Sequence, residues 1–294
     1  MFDNNRQSSD KFPVTTGANA ATGAVIYYHL PETADSIKSL VLEVKDAKGN
    51  LVRTFSNHPA KSHSNNSFKL EPALGVKKGL NRFVWNLRRQ GMPTIDDVYI
   101  EGSYNGGRIV PGIYSVTLKV DGQEQSTQLV LQGDPRINVS DVEYAKQDEL
   151  LKKLELDVTD IHVAVTRMKG LQKQLNELVG LLSGDPAKAE AVKSAKSIIE
   201  KISTWESKLI QPKSQSYDDV INFVNKLSAN IIFVHGEMNN NVPYVTTGAV
   251  DRYEELHNEW LVYKNEMDAL LKNDVAVFNA LCRSLSIGNV LLPE

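Results

Sequence analysis

The spacing of apolar residues changes once along the chain, close to residue 135. From Gly23 to about Gly133, apolar and polar residues alternate with a period of two, which is typical of half-buried β-strands. Asp121-Gly122 separates two such runs and predicts a two-residue hairpin, because a type I′ turn requires positive φ at both positions. Short strands separated by turn residues, without a helical period, predict an antiparallel immunoglobulin-like β-sandwich of about seven strands.

After the sequence GDPR (133–136) the apolar period becomes 3.6, the period of amphipathic helices. Ser140 and Glu143 have the spacing of a capping box and predict the start of a first long helix. Capping residues and breaks predict three further helices, which start at Asp185-Pro186, Ser216 and Gly248. Four amphipathic helices joined by short breaks predict an antiparallel four-helix bundle.

The change of period predicts two domains and therefore an α+β fold class. A chain of 294 residues is long enough for two domains that each bury a core of their own. The predicted organisation is a flexible lead-in over 1–22, the immunoglobulin-like β-sandwich over 23–135, the helical bundle over 138–285 and a tail over 286–294.

Composition and charge exclude several classes of protein. The hydrophobic fraction of 41% and the charged fraction of 23% are typical of a globular protein, and a net charge of −3 argues against a nucleic-acid partner. Cys282 is the one cysteine, which excludes an internal disulfide and a multi-cysteine zinc site. The start of the chain lacks the apolar region of a signal peptide, and no apolar run reaches the roughly 18 residues of a membrane span.

The candidate binding site follows the strand GLNRFVWNL, whose Phe83, Trp85 and Leu87 are predicted to point into the sandwich core. The next segment is longer than a turn, and long loops are more often functional than short ones. Its tyrosines and carboxylates, flanked by glycines, could bind a sugar or a peptide. The candidate binding residues of this 88–110 loop are Arg88, Asp96, Tyr99 and Tyr104. The alternative is that the loop packs on its own sandwich, on the helical bundle or on a domain outside this chain.

The sequence predicts no catalytic residue, no metal site and no cofactor. Asp96, Asp97 and Glu101 lack the spacing of a calcium loop, and His58 and His63 have no third ligand nearby in sequence. The sequence contains neither a nucleophile elbow nor a glycine-rich phosphate loop. Three further histidines occur at helical positions and are expected to be partly buried and hydrogen-bonded: His162, His235 and His257.

Several segments resemble, in order, one family of large bacterial proteins. They are GAVIYYHL, DAKGNLVRTF, KGLNRFVWNLR, VPGIYSVTLKVDGQEQSTQLVL, DPR and VPYVTTGAVDRYEELHNEW. Together they resemble the C-terminal region of secreted sortilin-like, or BNR-repeat "glycosyl hydrolase", proteins. In that family β-propellers precede an immunoglobulin-like domain of the flagellar hook-capping type and a helical tail. No Asp-box (S-x-D-x-G-x-T-W) and no propeller repeat occur in this chain, so the hydrolytic activity that the family label implies is not carried over.

The resemblance implies a non-catalytic accessory or interaction module of a secreted BNR-propeller protein. It implies an extracytoplasmic location, whether periplasmic, cell-surface or secreted. The expected partner is the family's propeller, another envelope protein or a glycan. Two alternatives remain open: a carbohydrate- or peptide-binding module that uses the 88–110 loop, and a part of a glycoside hydrolase whose catalytic propeller lies outside this chain.

Overall fold

The computed structural model describes residues 20–31, 37–58, 72–239 and 243–291, and the chain divides into two compact units. Among the described residues, the β unit comprises 20–31, 37–58, 72–90 and 108–135, and the helical unit comprises the remainder. This division differs from the predicted sandwich of 23–135 at one place, because residues 91–107 belong to the helical unit. Most of the predicted lead-in, His63 and the end of the predicted tail lie outside the described residues.

The β unit contains two antiparallel sheets. One sheet pairs β1 (Ala24–Leu30) with β4 (Gly79–Trp85), and the other has the order β3–β2–β5–β6. The strands of the second sheet are β2 (Leu40–Lys45), β3 (Leu51–Ser56), β5 (Gly112–Val120) and β6 (Gln123–Leu131). These six strands lie in the runs with a period of two, and the described residues contain no seventh strand. The predicted hairpin turn is confirmed, with φ of 45° at Asp121 and 89° at Gly122.

The core of the β unit receives side chains from both sheets. The rings of Phe55 on β3 and Phe83 on β4 meet edge to face, with centroids 4.7 Å apart. Trp85 is fully buried, and its indole N–H donates to the carbonyl of Arg88 at 2.9 Å. The predicted core positions of Phe83 and Trp85 are therefore confirmed. Leu87 is only partly buried, and its φ of 58° turns the chain away from the end of β4.

The helical unit is built around the long helix α1 (Asp141–Leu182), which contacts α2 (Ala189–Leu209), α3 (Leu227–Asn239) and α4 (Thr247–Ala269). The predicted capping box is present, since the amide of Glu143 donates to Ser140 Oγ and the amide of Ser140 donates to Glu143 Oε2. A π-helical segment, Leu270–Val275, joins α4 to α5 (Ala276–Ser284). The predicted fourth helix is thus helical throughout but carries a π segment near its end.

The third helix starts later than predicted. The capping box of Ser216 and Asp219 is present, but it opens only a 3₁₀ turn, Tyr217–Ile221, and α3 begins at Leu227. A short amphipathic segment is stable as a helix mainly when its apolar face is packed. Here Ile221 and Val224 are exposed, so no packing holds the turn in an α-helix.

Substitutions at a buried and at an exposed position of β4 test whether Trp85 belongs to the core of the β unit. We expect Trp85→Ala to lower the free energy of unfolding by about 3–5 kcal/mol, because it leaves a cavity and removes the hydrogen bond from the indole to the Arg88 carbonyl. Leu80→Ala, on the exposed face of the same strand, should change it by less than about 0.5 kcal/mol. Urea unfolding followed by circular dichroism measures both. Equal losses would contradict the assignment of Trp85 to the core.

Candidate functional site

Residues 91–107 form a compact loop whose apolar side chains belong to the core of the helical unit. The loop is closed at its base by a hydrogen bond from the Met92 amide to the Tyr104 carbonyl at 2.8 Å. Just outside it, Arg88 and Arg108 form an isolated antiparallel bridge. Such a closed segment, packed by its own side chains, is an Ω-loop. Its buried residues are Met92, Ile95, Val98, Ile100 and Tyr104.

The four candidate binding residues differ in their exposure to solvent. Asp96 is exposed, Arg88 and Tyr99 are partly buried, and Tyr104 is only 5% exposed. Burial, with a smaller contribution from Tyr99, raises the pKa of the Tyr104 hydroxyl. The ring of Tyr104 lies 5.7 Å from that of His162. Binding by these residues stays a prediction, and Tyr104 could contribute its ring only if the core opened.

A small crevice lies beside Tyr99, within the helical unit. It is lined by the loop residues Tyr99–Glu101, by the end of α2 and by the first turn of α3. Its cavity volume is about 10 Å³, roughly the space that one water molecule requires. A sugar ring is far larger, so this crevice is not a carbohydrate pocket in the conformation described.

His162 attaches the loop to two helices. Its Nδ1 lies 2.7 Å from the carbonyl oxygen of Pro93, and its Nε2 lies 2.6 Å from the hydroxyl of Ser228 on α3. A carbonyl only accepts, so Nδ1 carries the proton and Nε2 accepts from Ser228. Burial lowers the pKa of this imidazole to about 4, although the Pro93 carbonyl acts in the opposite direction. His162 is therefore a neutral structural side chain at neutral pH.

Glu155 provides a second attachment at the other end of the loop. Its Oε1 accepts a hydrogen bond from the Gly107 amide at 2.5 Å and one from His235 Nε2 at 3.2 Å. His235 lies on α3 and is fully buried. Its Nδ1 has no hydrogen-bond partner among the described residues. The carboxylate thus stabilises both a buried loop amide and a buried histidine.

The third histidine forms a carboxylate–imidazole pair between α1 and α4. His257 Nδ1 donates to Asp157 Oδ2 at 2.8 Å, and the Tyr253 hydroxyl also hydrogen-bonds to this carboxylate. Burial raises the pKa of Asp157, while the hydrogen bond from His257 opposes the shift. Such a pair could orient a general base. However, in the part of the chain that the structure describes, no serine, threonine or cysteine side chain is hydrogen-bonded to His257, so the pair lacks a nucleophile.

Sequence reasoning missed the acidic partners of these histidines. Asp157 lies between Leu154 and Ile161 at spacings of three and four, which places it on the buried face of α1. An acid at a core position of an amphipathic helix is unusual and signals a buried partner. The expectation that His162, His235 and His257 are hydrogen-bonded is confirmed, with the first two buried and the third partly exposed.

The described residues show neither a cluster of metal-ligating side chains nor a candidate membrane span. They contain no group of three or more His, Cys, Asp or Glu side chains that could hold a metal ion. None of their helices is long and apolar enough to cross a membrane. Comparison of the chain with protein-family models, curated proteins and solved structures finds no match.

Replacement of Tyr104 tests whether the loop is structural. We expect Tyr104→Ala to destabilise the protein by about 3 kcal/mol, because it removes a buried ring from the helical core. Asn105→Ala is the matched control, since this neighbouring side chain is exposed and is hydrogen-bonded to Ser103 within the loop. Thermal unfolding of both variants is the measurement. A Tyr104→Ala protein with an unchanged melting temperature would show that the loop is not part of the core.

The buried His162 predicts a specific dependence of stability on pH. Above pH 6.5 the imidazole is neutral in both the folded and the unfolded chain, so its contribution to stability is complete. As the pH falls from 6.5 towards 4, only the unfolded chain gains the proton, and about 3 kcal/mol of stability is lost in total.

Urea unfolding between pH 7 and pH 4 measures this loss. His162→Gln should remove that part of the pH slope, whereas His29→Gln, on the exposed face of β1, should keep it. Identical slopes for the two variants would contradict the assignment.

Proposed function

We propose that this chain is a non-catalytic accessory module of a secreted, sortilin-like BNR-propeller protein. The observation that best supports a structural role is the use of residues 91–107, the longest candidate binding loop, as part of the helical core. A loop whose apolar side chains are buried and whose ends are bonded to His162 and Glu155 is held in one conformation. Such a loop serves as a structural part of the module.

The finer fold assignments belong to the same proposal. An immunoglobulin-like sandwich for the β unit is supported by two antiparallel sheets that contribute to one apolar cluster. An antiparallel bundle for the helical unit is supported by the contacts of α1 with three other helices. The proposed location is extracytoplasmic, and the proposed partner is the family's propeller or another envelope component.

The two alternatives have weaker support. Binding of a carbohydrate through the 88–110 loop requires exposed aromatic rings, and Tyr104 is buried. Glycoside hydrolysis requires two carboxyl groups placed across a cleft that holds the sugar. The partly buried Glu155 and the buried Asp157 are each hydrogen-bonded to a histidine within the helical unit, and neither lines the crevice beside Tyr99.

Assays on the purified chain test the absence of catalysis and of glycan binding. We expect no release of reporter from aryl glycosides above the buffer rate and no retention on a glycan array. Asp157→Asn and Glu155→Gln are informative controls because they alter the two acids that are hydrogen-bonded to histidines. Turnover by the wild-type chain that a single carboxylate replacement abolishes, in a protein still folded by circular dichroism, would overturn the proposal.

Cell fractionation tests the proposed context. An antibody raised against this chain should detect it in the envelope or the culture medium, on a polypeptide larger than 32.7 kDa. The control is the cytosolic fraction, verified with a cytosolic marker protein and probed with the same antibody. Detection only in the cytosolic fraction would contradict the extracytoplasmic assignment.

A further inference from the structure

Strand β6 is an open edge of the four-stranded sheet. It is the last strand in the order β3–β2–β5–β6, and it pairs with β5 over nine residues without a shift in register. The type I′ turn at Asp121-Gly122 makes Val120 and Gln123 a hydrogen-bonded pair. Because bonded and non-bonded pairs alternate, every second residue of β6 directs its backbone N–H and C=O away from β5. These residues are Glu124, Ser126, Gln128 and Val130.

The outward groups of β6 have no partner in the described part of the chain, whereas those of the opposite edge do. On β3, the carbonyl of Val52 accepts from the Gln90 amide at 3.0 Å, and that of Ser56 accepts from the Leu74 amide at 3.1 Å. No backbone hydrogen bond of this kind reaches β6 among the described residues. The side chains of Gln123–Gln128 are also exposed.

β6 also lacks the features with which proteins protect an edge strand. Proline, lysine, a bulge or a very short strand normally prevents further pairing. The β6 sequence QEQSTQLVL contains neither proline nor lysine, and at nine residues it is two residues longer than β1 or β4. An edge of this length and regularity is suited to pairing with another strand.

The outward groups of β6 are complementary to those of a second β6 strand. If two copies pair antiparallel about a twofold axis at Thr127, Glu124 lies opposite Val130 of the other copy and Ser126 lies opposite Gln128. Every outward-facing residue then meets another outward-facing residue. Four pairs that exchange two bonds each give about eight backbone hydrogen bonds. A shift by one residue would place outward groups opposite inward ones. A shift by two residues would place Glu124 or Val130 opposite a residue beyond the end of the partner's β6, so the axis at Thr127 forms the largest number of pairs.

The charges on β6 are compatible with this pairing. Glu124 is the only charged residue of the strand, and its carboxylate is paired with Lys119 at 3.2 Å on its own sheet. In the symmetric register the two Glu124 residues lie at opposite ends of the interface, about 20 Å apart at 3.4 Å per residue. The two copies therefore bring no like charges together.

We propose that two copies of this chain associate through antiparallel pairing of their β6 strands, centred on Thr127, to form a continuous eight-stranded sheet. This inference goes beyond the proposed function and does not depend on it. The proposed partner is a second copy of this chain, because the outward residues of two β6 strands match in register and their Glu124 side chains do not approach each other.

Charged residues of either sign introduced at position 127 test the proposed register of the two β6 strands. Thr127 lies on the proposed axis and is exposed, and the two side chains of a non-hydrogen-bonded pair come within about 5.5 Å of each other. Thr127→Lys and Thr127→Glu should each shift association to at least tenfold higher concentration. A 1:1 mixture of the two variants should restore it. The measurement is sedimentation velocity over a range of concentration, with a wild-type mass of twice 32.7 kDa expected at the upper end.

A second pair of variants tests the backbone hydrogen bonds. Gln128→Pro removes an outward amide without affecting the bonds to β5 and should weaken association, whereas Gln128→Ala keeps the amide and should associate like the wild type. Circular dichroism confirms that each variant remains folded. A wild-type chain that stays monomeric at 200 µM would overturn the proposal. A dimer that survives both Thr127→Lys and Gln128→Pro would also overturn it, because another surface would then be responsible.

Discussion

The burial of residues 91–107 in the helical core is the constraint on which the rest of the site depends. A loop carries backbone amides and carbonyls that lack the regular partners of a helix or a sheet, and burial without partners is costly. The Pro93 carbonyl and the Gly107 amide are bonded to His162 and Glu155 respectively, and both of these lie on α1. Two polar residues of this helix, His162 and Glu155, are therefore explained by the loop that packs against it.

The same constraint sets the electrostatic character of the core. Burial lowers the pKa of His162, and the neutral ring can then donate to the Pro93 carbonyl and accept from Ser228. Asp157 is also buried, but it is bonded by His257 and Tyr253 at the junction of α1 and α4, and burial raises its pKa. Perturbed pKa values often mark active sites, but structural networks produce them as well. Here the shifts of His162 and Asp157 are explained by packing between helices or against the loop.

Much of the fold was predictable because strands and helices impose regular spacing on their apolar residues. The change of period near residue 135, the hairpin at Asp121-Gly122 and the start of α1 at Ser140 were all evident from local patterns. The buried loop was not, because Met92, Ile95, Val98 and Ile100 follow neither the period of a strand nor that of a helix. The late start of α3 was missed for a related reason, since local spacing does not reveal whether Val224 will be covered.

Because the apolar side chains of residues 91–107 are buried in the helical core, we expect the functional groups of this protein on its outer surfaces. The crevice beside Tyr99 is too small for a sugar, and the surface groove between α2 and the π segment carries ion pairs such as that between Lys208 and Glu266. Backbone groups on an unprotected strand edge differ from such side chains, because they bind another strand with little dependence on sequence. Selection normally removes an edge of this kind when pairing is harmful. An unprotected edge of nine regular residues in β6 therefore favours a surface that is used in assembly.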